Sequence, residues 1–191
     1  VAGDIERLGY QDIAVMNLAG HAKYIKGGGE FDSWGEFWYE DGFKGELAIS
    51  DVAISKVTKE PVVFDVAPIK SNGQVLGLLV GRRDPTFLND TTNAMGDGKR
   101  QYGFVVNENG AMMAHPDDQM ILDQVNVFDD IEKDGTWKSF GLALKELGPQ
   151  STGMMTYTVN GATKIGTTAP IPGTKWTLII AQYEDDVLAP I

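Results

Sequence analysis

The chain has 191 residues, of which 42% are hydrophobic and 23% are charged, and this is the composition of an ordinary globular protein of one large or two small domains. Its formal net charge of −11 argues against nucleic acid or an anionic membrane face as a partner, because phosphate binding requires clustered Lys and Arg. Cysteine is absent and only two histidines occur, which excludes disulfides and Cys-ligated zinc and leaves little material for a multi-His metal site or a His-based triad.

The first elements in chain order form a predicted β-hairpin, QDIAVMNLAGHAKYI at 11–25, with Gly20 supplying a permissive backbone at the turn. A helix is expected at about 33–43. This helix contains WGEFWYEDG, which gathers four aromatics and three acids into nine positions.

The strongest hairpin signal in the sequence follows this helix. Two β-rich runs at 61–69 and 74–82 are joined through Asn72-Gly73, the pair favoured in two-residue hairpin turns. PTFLNDTTNAMGDG at 85–98 then predicts a helix that stops at glycine.

The order of elements in the first half returns in the second half. VMNLAGHAKY at 15–24 is similar to VVNENGAMMA at 105–114, and Ala-Pro-Ile occurs at 67–69 and again at 169–171. Matches of this length are short, but they come in the same order in both halves.

The second half also has its own helix and hairpin signals. WKSFGLALKELGPQ carries apolar residues at helical spacing and stops at Gly-Pro, and Asn160-Gly161 marks another tight turn. We therefore expect an α+β protein with two similar units, 1–100 and 101–191, each an antiparallel sheet with flanking helices.

Three segments carry a resemblance to a known family: FWYEDGFKGELAISDVAISKVTKEPVVFDVAPI with GQVLGLLVGRRD, then GFVVNENGAMMAHPDD, then TAPIPGTKWTLIIAQ. Together they resemble the double-Cache (dCache_1) sensor domains of bacterial and archaeal chemoreceptors, sensor kinases and diguanylate cyclases. The resemblance implies two tandem PAS-like units, a membrane-distal unit that binds the ligand and a membrane-proximal unit. The long N-terminal helix of the family is missing from this sequence.

The resemblance also implies a function. It predicts a non-enzymatic domain on the extracytoplasmic side of the membrane, tethered by transmembrane helices outside this chain, without cofactor or metal, and homodimeric in the full-length receptor. The alternatives are a hydrolase that uses paired carboxylates among Glu36, Glu40 and Asp41, or a structural or adhesive module that binds no ligand.

In the resembled family the ligand lies against a helix with an aromatic pair, which in this sequence is Trp38-Tyr39, followed by Asp41. Trp34, Trp38 and Asp41 share one helical face, and ring faces near a carboxylate suit an ammonium group or a flat heterocycle. The alternative is that the aromatics pack the helix onto the sheet. Ser55 stands where family members place a further polar contact.

Two positions depart from the family pattern. Amino-acid-binding members carry an arginine where this chain has Glu36, and an aspartate where it has Arg82. SWGE also fits a capping box with Ser33 as N-cap, so Glu36 either caps the helix or faces the ligand. An amine, a nucleobase-like heterocycle or a small carboxylate held by Arg82 is therefore expected rather than an ordinary α-amino acid.

The register of the strong hairpin makes a further prediction. A two-residue turn at Asn72-Gly73 pairs Asp65 with Val80 and places Arg82 diagonally opposite Asp65 on the same sheet face. The pair is then either a structural salt bridge or a site element, in which Arg82 contacts a ligand carboxylate and Asp65 orients it.

The AHPDD segment contains His115 followed by acids, a combination that can serve metal binding or acid-base chemistry. The family carries His-Pro at this place in a loop after the second hairpin. We therefore predict a structural role for His115.

Overall fold

The structure is a computed structural model that describes residues 2–33, 36–97 and 100–188. The chain divides into two compact units, one that ends at Pro85 and one that begins at Thr86. Each unit has its own antiparallel sheet and helices, so the predicted α+β class is confirmed. Within the described ranges, none of the helices combines the length and apolar character needed to span a bilayer.

The first unit contains a seven-stranded sheet in the order β3-β2-β1-β7-β6-β4, with β5 also pairing with β6. Its elements are α1 (Ala2–Arg7), β1 (Asp12–Met16), β2 (His21–Tyr24), β3 (Glu30–Asp32), α2 (Phe37–Lys44), β4 (Ala48–Ile49), β5 (Ala53–Ile54), β6 (Pro61–Ser71) and β7 (Gln74–Arg83).

Helix α2 packs closely on one face of this sheet. A Cβ atom on Gly42 would lie 2.9 Å from side-chain carbons of Val66 and Leu78, so the absence of a side chain there lets the helix approach β6 and β7. Trp38 and Tyr39 of α2 are both buried in the same apolar cluster as these strands. The buried cluster between α2 and the sheet is the core of the first unit.

The start of α2 differs from the sequence prediction. Glu36 has extended backbone angles, φ −84° and ψ 130°, and occupies the N-cap position without a side-chain capping hydrogen bond. The predicted capping box is therefore wrong, because it requires Glu36 to lie inside the first turn, three residues after Ser33. Trp34, the first residue of the predicted aromatic face, lies outside the described residues.

The predicted hairpin between β6 and β7 is confirmed at its turn but not along its length. Ser71 pairs with Gln74 as expected, but a bulge shifts the register between Ile69 and Lys70, so that Asp65 pairs with Gly81. A shift of one residue turns each later side chain of β7 to the other face of the sheet.

This shift makes the predicted Asp65–Arg82 pair wrong. Arg83 Nε instead forms the ion pair with Asp65 Oδ2, and the Tyr10 hydroxyl donates to the same oxygen at 2.8 Å. Arg82 pairs with Phe64 across the strands and is buried on the face that α2 covers.

A double-mutant cycle tests this register. Asp65→Ala and Arg83→Ala should show a coupling free energy of about 0.5–1 kcal/mol in urea unfolding, because both side chains are only partly exposed, 26% and 24%. The matched cycle of Asp65→Ala with Arg82→Ala should show almost none. A larger coupling with Arg82 than with Arg83 would contradict the observed register.

The second unit contains a five-stranded sheet in the order β10-β11-β12-β8-β9. Its elements are α3 (Asn89–Asn93), β8 (Gln101–Asn107), β9 (Met112–Ala114), α4 (Gln119–Leu122), α5 (Asp129–Lys133), α6 (Lys138–Leu147), β10 (Gly153–Val159), β11 (Ala162–Pro170), β12 (Trp176–Tyr183) and α7 (Glu184–Leu188). Because α3 packs against β8, the division between units falls before the predicted boundary at residue 100.

The second core lies between the β8–β12 sheet and α6. Phe140 and Leu144 of α6 are fully buried against Phe104 and Tyr157 of the sheet, which follows from the helical spacing of the apolar residues in α6. The predicted Asn160-Gly161 turn joins β10 to β11, with Val159 paired with Ala162.

His115 follows β9 and lies against this core. Its ring contacts Tyr102, Phe104 and Trp137 edge-on at centroid distances of 5.8, 5.9 and 5.6 Å. Burial lowers the pKa of His115 to about 4, because the charged ring would lose its hydration.

This depressed pKa predicts a pH-dependent stability. The unfolded chain protonates its histidine near pH 6.5 and the folded chain near 4, so stability contributed at neutral pH is lost as the pH falls through that window, by up to about 3 kcal/mol. The stability difference between the wild type and His115→Asn should therefore shrink from pH 7 to pH 4.5 in urea unfolding. A difference independent of pH, or an NMR-titrated His115 pKa near 6.5, would contradict this.

Candidate ligand site

A cavity lies in the first unit between α2, strands β2 and β3, and the segment that follows β5. It encloses about 360 Å³ with its open mouth included, of which about 30 Å³ admits whole water molecules, enough for only two or three waters. It is lined by Tyr24, Phe31, Ser33, Glu36, Trp38, Ala53, Ile54, Ser55, Lys56, Val57 and Phe64.

Four buried aromatic rings form the inner wall of the cavity. Tyr24 and Phe31 have ring centroids 5.3 Å apart, Phe31 stacks on Phe64 at 6.0 Å, and Trp38 lies 5.3 Å from Phe64. The strand residues reach this wall because side chains alternate along β2, β3 and β6, and Trp38 reaches it from α2. Such a wall suits a flat ring or a cationic group.

The polar groups of the cavity lie nearer its mouth. Ser55 Oγ accepts hydrogen bonds from the backbone N–H groups of Val57 and Thr58 at 3.3 and 3.1 Å, which holds the turn after β5. Lys56 Nζ donates to the Asp32 carbonyl at 2.6 Å. Half-buried Glu36 contributes a carboxylate to the wall, and this gives the mouth a group that can accept hydrogen bonds from a ligand amine.

Arg82 lies behind the aromatic wall. Its guanidinium carbon is 4.5 Å from the centre of the Tyr24 ring, and its Nε donates to Gln11 Oε1 at 3.2 Å. Arg82 Nη1 and the Tyr24 hydroxyl are both buried, and neither has a hydrogen-bond partner within residues 2–33, 36–97 and 100–188. Burial raises the pKa of Tyr24, and the positive charge of Arg82 opposes that rise.

The two unpartnered groups require an explanation, because an unsatisfied buried donor costs about 1–3 kcal/mol. Tyr24 lines the cavity and Arg82 stacks on Tyr24. An acceptor atom of a ligand at the inner end of the cavity would complete the hydrogen bonding of the Tyr24 hydroxyl.

The structure brings three of the residues singled out in the sequence, Glu36, Trp38 and Ser55, together in the cavity wall. Arg82 is adjacent to them through Tyr24. These four residues remain candidates for contact with a ligand.

The other three candidates lie elsewhere. Tyr39 packs edge-on against Phe43 with centroids 4.7 Å apart, and Asp41 Oδ1 accepts from Lys44 Nζ at 2.7 Å at the helix surface. Asp65 lines a separate apolar groove on the opposite sheet face. None of the three lines the cavity beside Trp38.

Sequence reasoning missed the strand residues of the wall, Tyr24, Phe31 and Phe64. Their signal is the alternation of buried and exposed residues in β2 and β3, which places the aromatics on the core face. That signal predicts burial, but the proximity of three strands and one helix depends on the tertiary fold.

The comparisons with known proteins agree with this architecture. The Cache domain family model dCache_1 matches residues 2–191, and the chain therefore belongs to the double-Cache family.

Solved structures that are similar to the chain are chemoreceptor ligand-binding domains. The domain of the Pseudomonas aeruginosa PAO1 amino acid chemoreceptor PctB with L-Arg has a TM-score of 0.69 at 17% identity, over 97% of this chain and 76% of that one. The domain of Pseudomonas fluorescens CtaA with L-leucine has a TM-score of 0.66 at 20% identity, over 96% and 75%. The domain of Campylobacter jejuni Tlp3 with 4-methylisoleucine has 0.62 at 15%, over 97% and 70%.

Removing the Tyr24 hydroxyl should leave the fold at least as stable as before. Tyr24→Phe deletes a buried group that has no partner, so the free energy of unfolding should stay unchanged or rise by up to about 1 kcal/mol. Tyr10→Phe is the matched control, because that hydroxyl donates to Asp65 and its loss should destabilise by about 1–2 kcal/mol. Equal losses in both variants, measured by urea unfolding, would show that the Tyr24 hydroxyl is bonded in the native state.

Proposed function

We propose that the chain is the extracytoplasmic sensor domain of a transmembrane receptor and that its first unit binds a small polar organic ligand. The observation that carries this proposal is the aromatic cavity with Glu36 in its wall and the unpartnered Tyr24 hydroxyl at its inner side. Membership of the Cache family and the likeness to chemoreceptor domains support a sensory role.

The chemistry of the cavity favours a small amine or an amino-bearing heterocycle. The rings of Trp38 and Phe64 suit a flat or cationic body, and the Glu36 carboxylate suits an amino group. The Tyr24 hydroxyl can donate to an acceptor oxygen or ring nitrogen of the same molecule. A ligand carboxylate beside Glu36 would be repelled, which disfavours an α-amino acid in a pose that relies on a cation at this position.

The narrow cavity indicates how binding could produce a signal. A metabolite needs more room than two or three waters, so the mouth has to widen when the ligand enters. The turn after β5 is the movable side in this proposal, because β5 pairs with β6 through only Ala53 and Ile54. A ligand that binds the widened state better shifts the equilibrium toward it, and this is sufficient for signalling.

The hydrolase alternative receives less support. Of the three acids considered for it, Glu36 lines the cavity, Glu40 is exposed, and Asp41 is paired with Lys44. General acid-base hydrolysis needs two carboxylates that face one substrate. The described residues do not bring these three acids to one centre.

The cellular setting belongs to the proposal as well. We expect the domain on the outer side of the membrane, connected to it by helices outside this chain, and paired with a second copy in the full-length receptor. These expectations rest on the family and on the sensory proposal.

A thermal-shift screen of amines, nucleobases, carboxylates and amino acids tests the function. An amine or amino-bearing heterocycle should raise the melting temperature by several degrees at about 100 times its Kd, where binding contributes about 2.7 kcal/mol, and should be recovered unchanged by mass spectrometry. Turnover of the compound would support the hydrolase instead, and the absence of any stabilising compound would support a structural module.

Two matched variants locate the site once a ligand is found. Glu36→Gln should weaken binding at least tenfold, because the amine loses its charged acceptor. Asp41→Asn, on the same helix but outside the cavity, should change Kd less than twofold by calorimetry. If Asp41→Asn has the larger effect, the ligand binds at the helix surface rather than in the cavity.

A further inference from the structure

The second unit holds a buried lysine without a carboxylate partner. Lys164 of β11 is only 8% exposed, and its Nζ donates to the Tyr102 hydroxyl at 2.8 Å. The same Nζ lies 4.8 and 5.0 Å from the ring centres of Tyr102 and Tyr183. Within the parts of the chain that the structure describes, Lys164 forms no salt bridge. Buried lysines are ordinarily paired, because an uncompensated charge is costly in a low-dielectric interior.

His115 lies on the other side of Tyr102 and has an unpaired donor. The backbone N–H of Asp117 donates to His115 Nδ1 at 3.0 Å, so the ring proton of the neutral histidine is on Nε2. His115 is 8% exposed, and its Nε2 is buried with no acceptor in the described residues. The ring therefore presents an N–H group that lacks a partner.

These groups meet at an open cleft. The cleft is lined by Tyr102, His115, Pro116 and Asp117 and encloses about 420 Å³ with its mouth included. Because the Tyr102 hydroxyl already accepts from Lys164, its own hydrogen is available to donate. Two donors thus border the cleft, and a cation lies directly behind one of them.

We propose that this cleft is a second ligand site, distinct from the aromatic cavity of the first unit, and that it binds a small monocarboxylate. The carboxylate accepts hydrogen bonds from His115 Nε2 and the Tyr102 hydroxyl, and its charge compensates Lys164 through the Tyr102 hydroxyl. The Asp117 carboxylate at the rim accepts from the Gln119 N–H at 3.1 Å and repels anions of higher charge. A cation is disfavoured because Lys164 faces the same side.

Histidine NMR on the whole domain tests the site, because the chain has only two histidines, His21 and His115. The probe is sodium acetate at pH 7, against sodium chloride and sodium phosphate at equal ionic strength. Acetate should shift the His115 side-chain signal saturably and leave His21 unchanged. A response that is linear, or equal in chloride or phosphate, would overturn the proposal in favour of non-specific ionic effects or a general anion site.

Variants assign the response to this cleft. Lys164→Met keeps the apolar stem and should weaken acetate binding at least tenfold, whereas Lys133→Met, at an exposed lysine of α5, should change it less than twofold. If Lys164→Met does not fold by circular dichroism, Tyr102→Phe takes its place and should also weaken binding at least tenfold. Unchanged affinity in the folded variant overturns the proposal.

A last variant separates the two sites. Glu36→Gln belongs to the first unit and should leave the acetate response of His115 intact. Loss of the response in Glu36→Gln would place acetate in the aromatic cavity and would refute the second site without refuting the first.

Discussion

One inserted residue in the β6–β7 hairpin decides which side chains reach the ligand cavity. The bulge turns every later residue of β7 to the opposite face of the sheet. It thereby places Arg82 under α2 beside Tyr24 and leaves Arg83 to pair with Asp65 on the other face. Without the bulge, the guanidinium behind the aromatic wall would belong to a different residue, and Arg82 would lie beside Asp65.

Both units keep hydrogen-bond donors buried without partners next to an opening. Tyr24 and Arg82 do so in the first unit and His115 in the second, within the described residues. Each such group costs free energy in the state without ligand. A ligand that supplies the missing acceptor offsets that cost only where it binds, and this difference between states is what a sensor requires. The same physical reasoning therefore connects the two proposed sites.

Much of the fold was predictable because its signals are local. The Asn72-Gly73 and Asn160-Gly161 turns have backbone angles that Asn and Gly adopt readily, and the apolar spacing of α6 identified its buried face. The site was predictable only in part. Trp38 faces the cavity while its neighbour Tyr39 packs against Phe43, because adjacent helical residues point about 100° apart.

The sequence by itself determined the α+β class, the two successive units and the aromatic helix, since period and turn chemistry act over a few residues. Only the tertiary structure decided the partner of Asp65, the position of Glu36 and the company of Tyr24 at the cavity. A bulge has no clear signature in a run of apolar residues, and the start of α2 lies beside strands distant in the chain. Long-range packing selects these features, and residue spacing alone does not contain them.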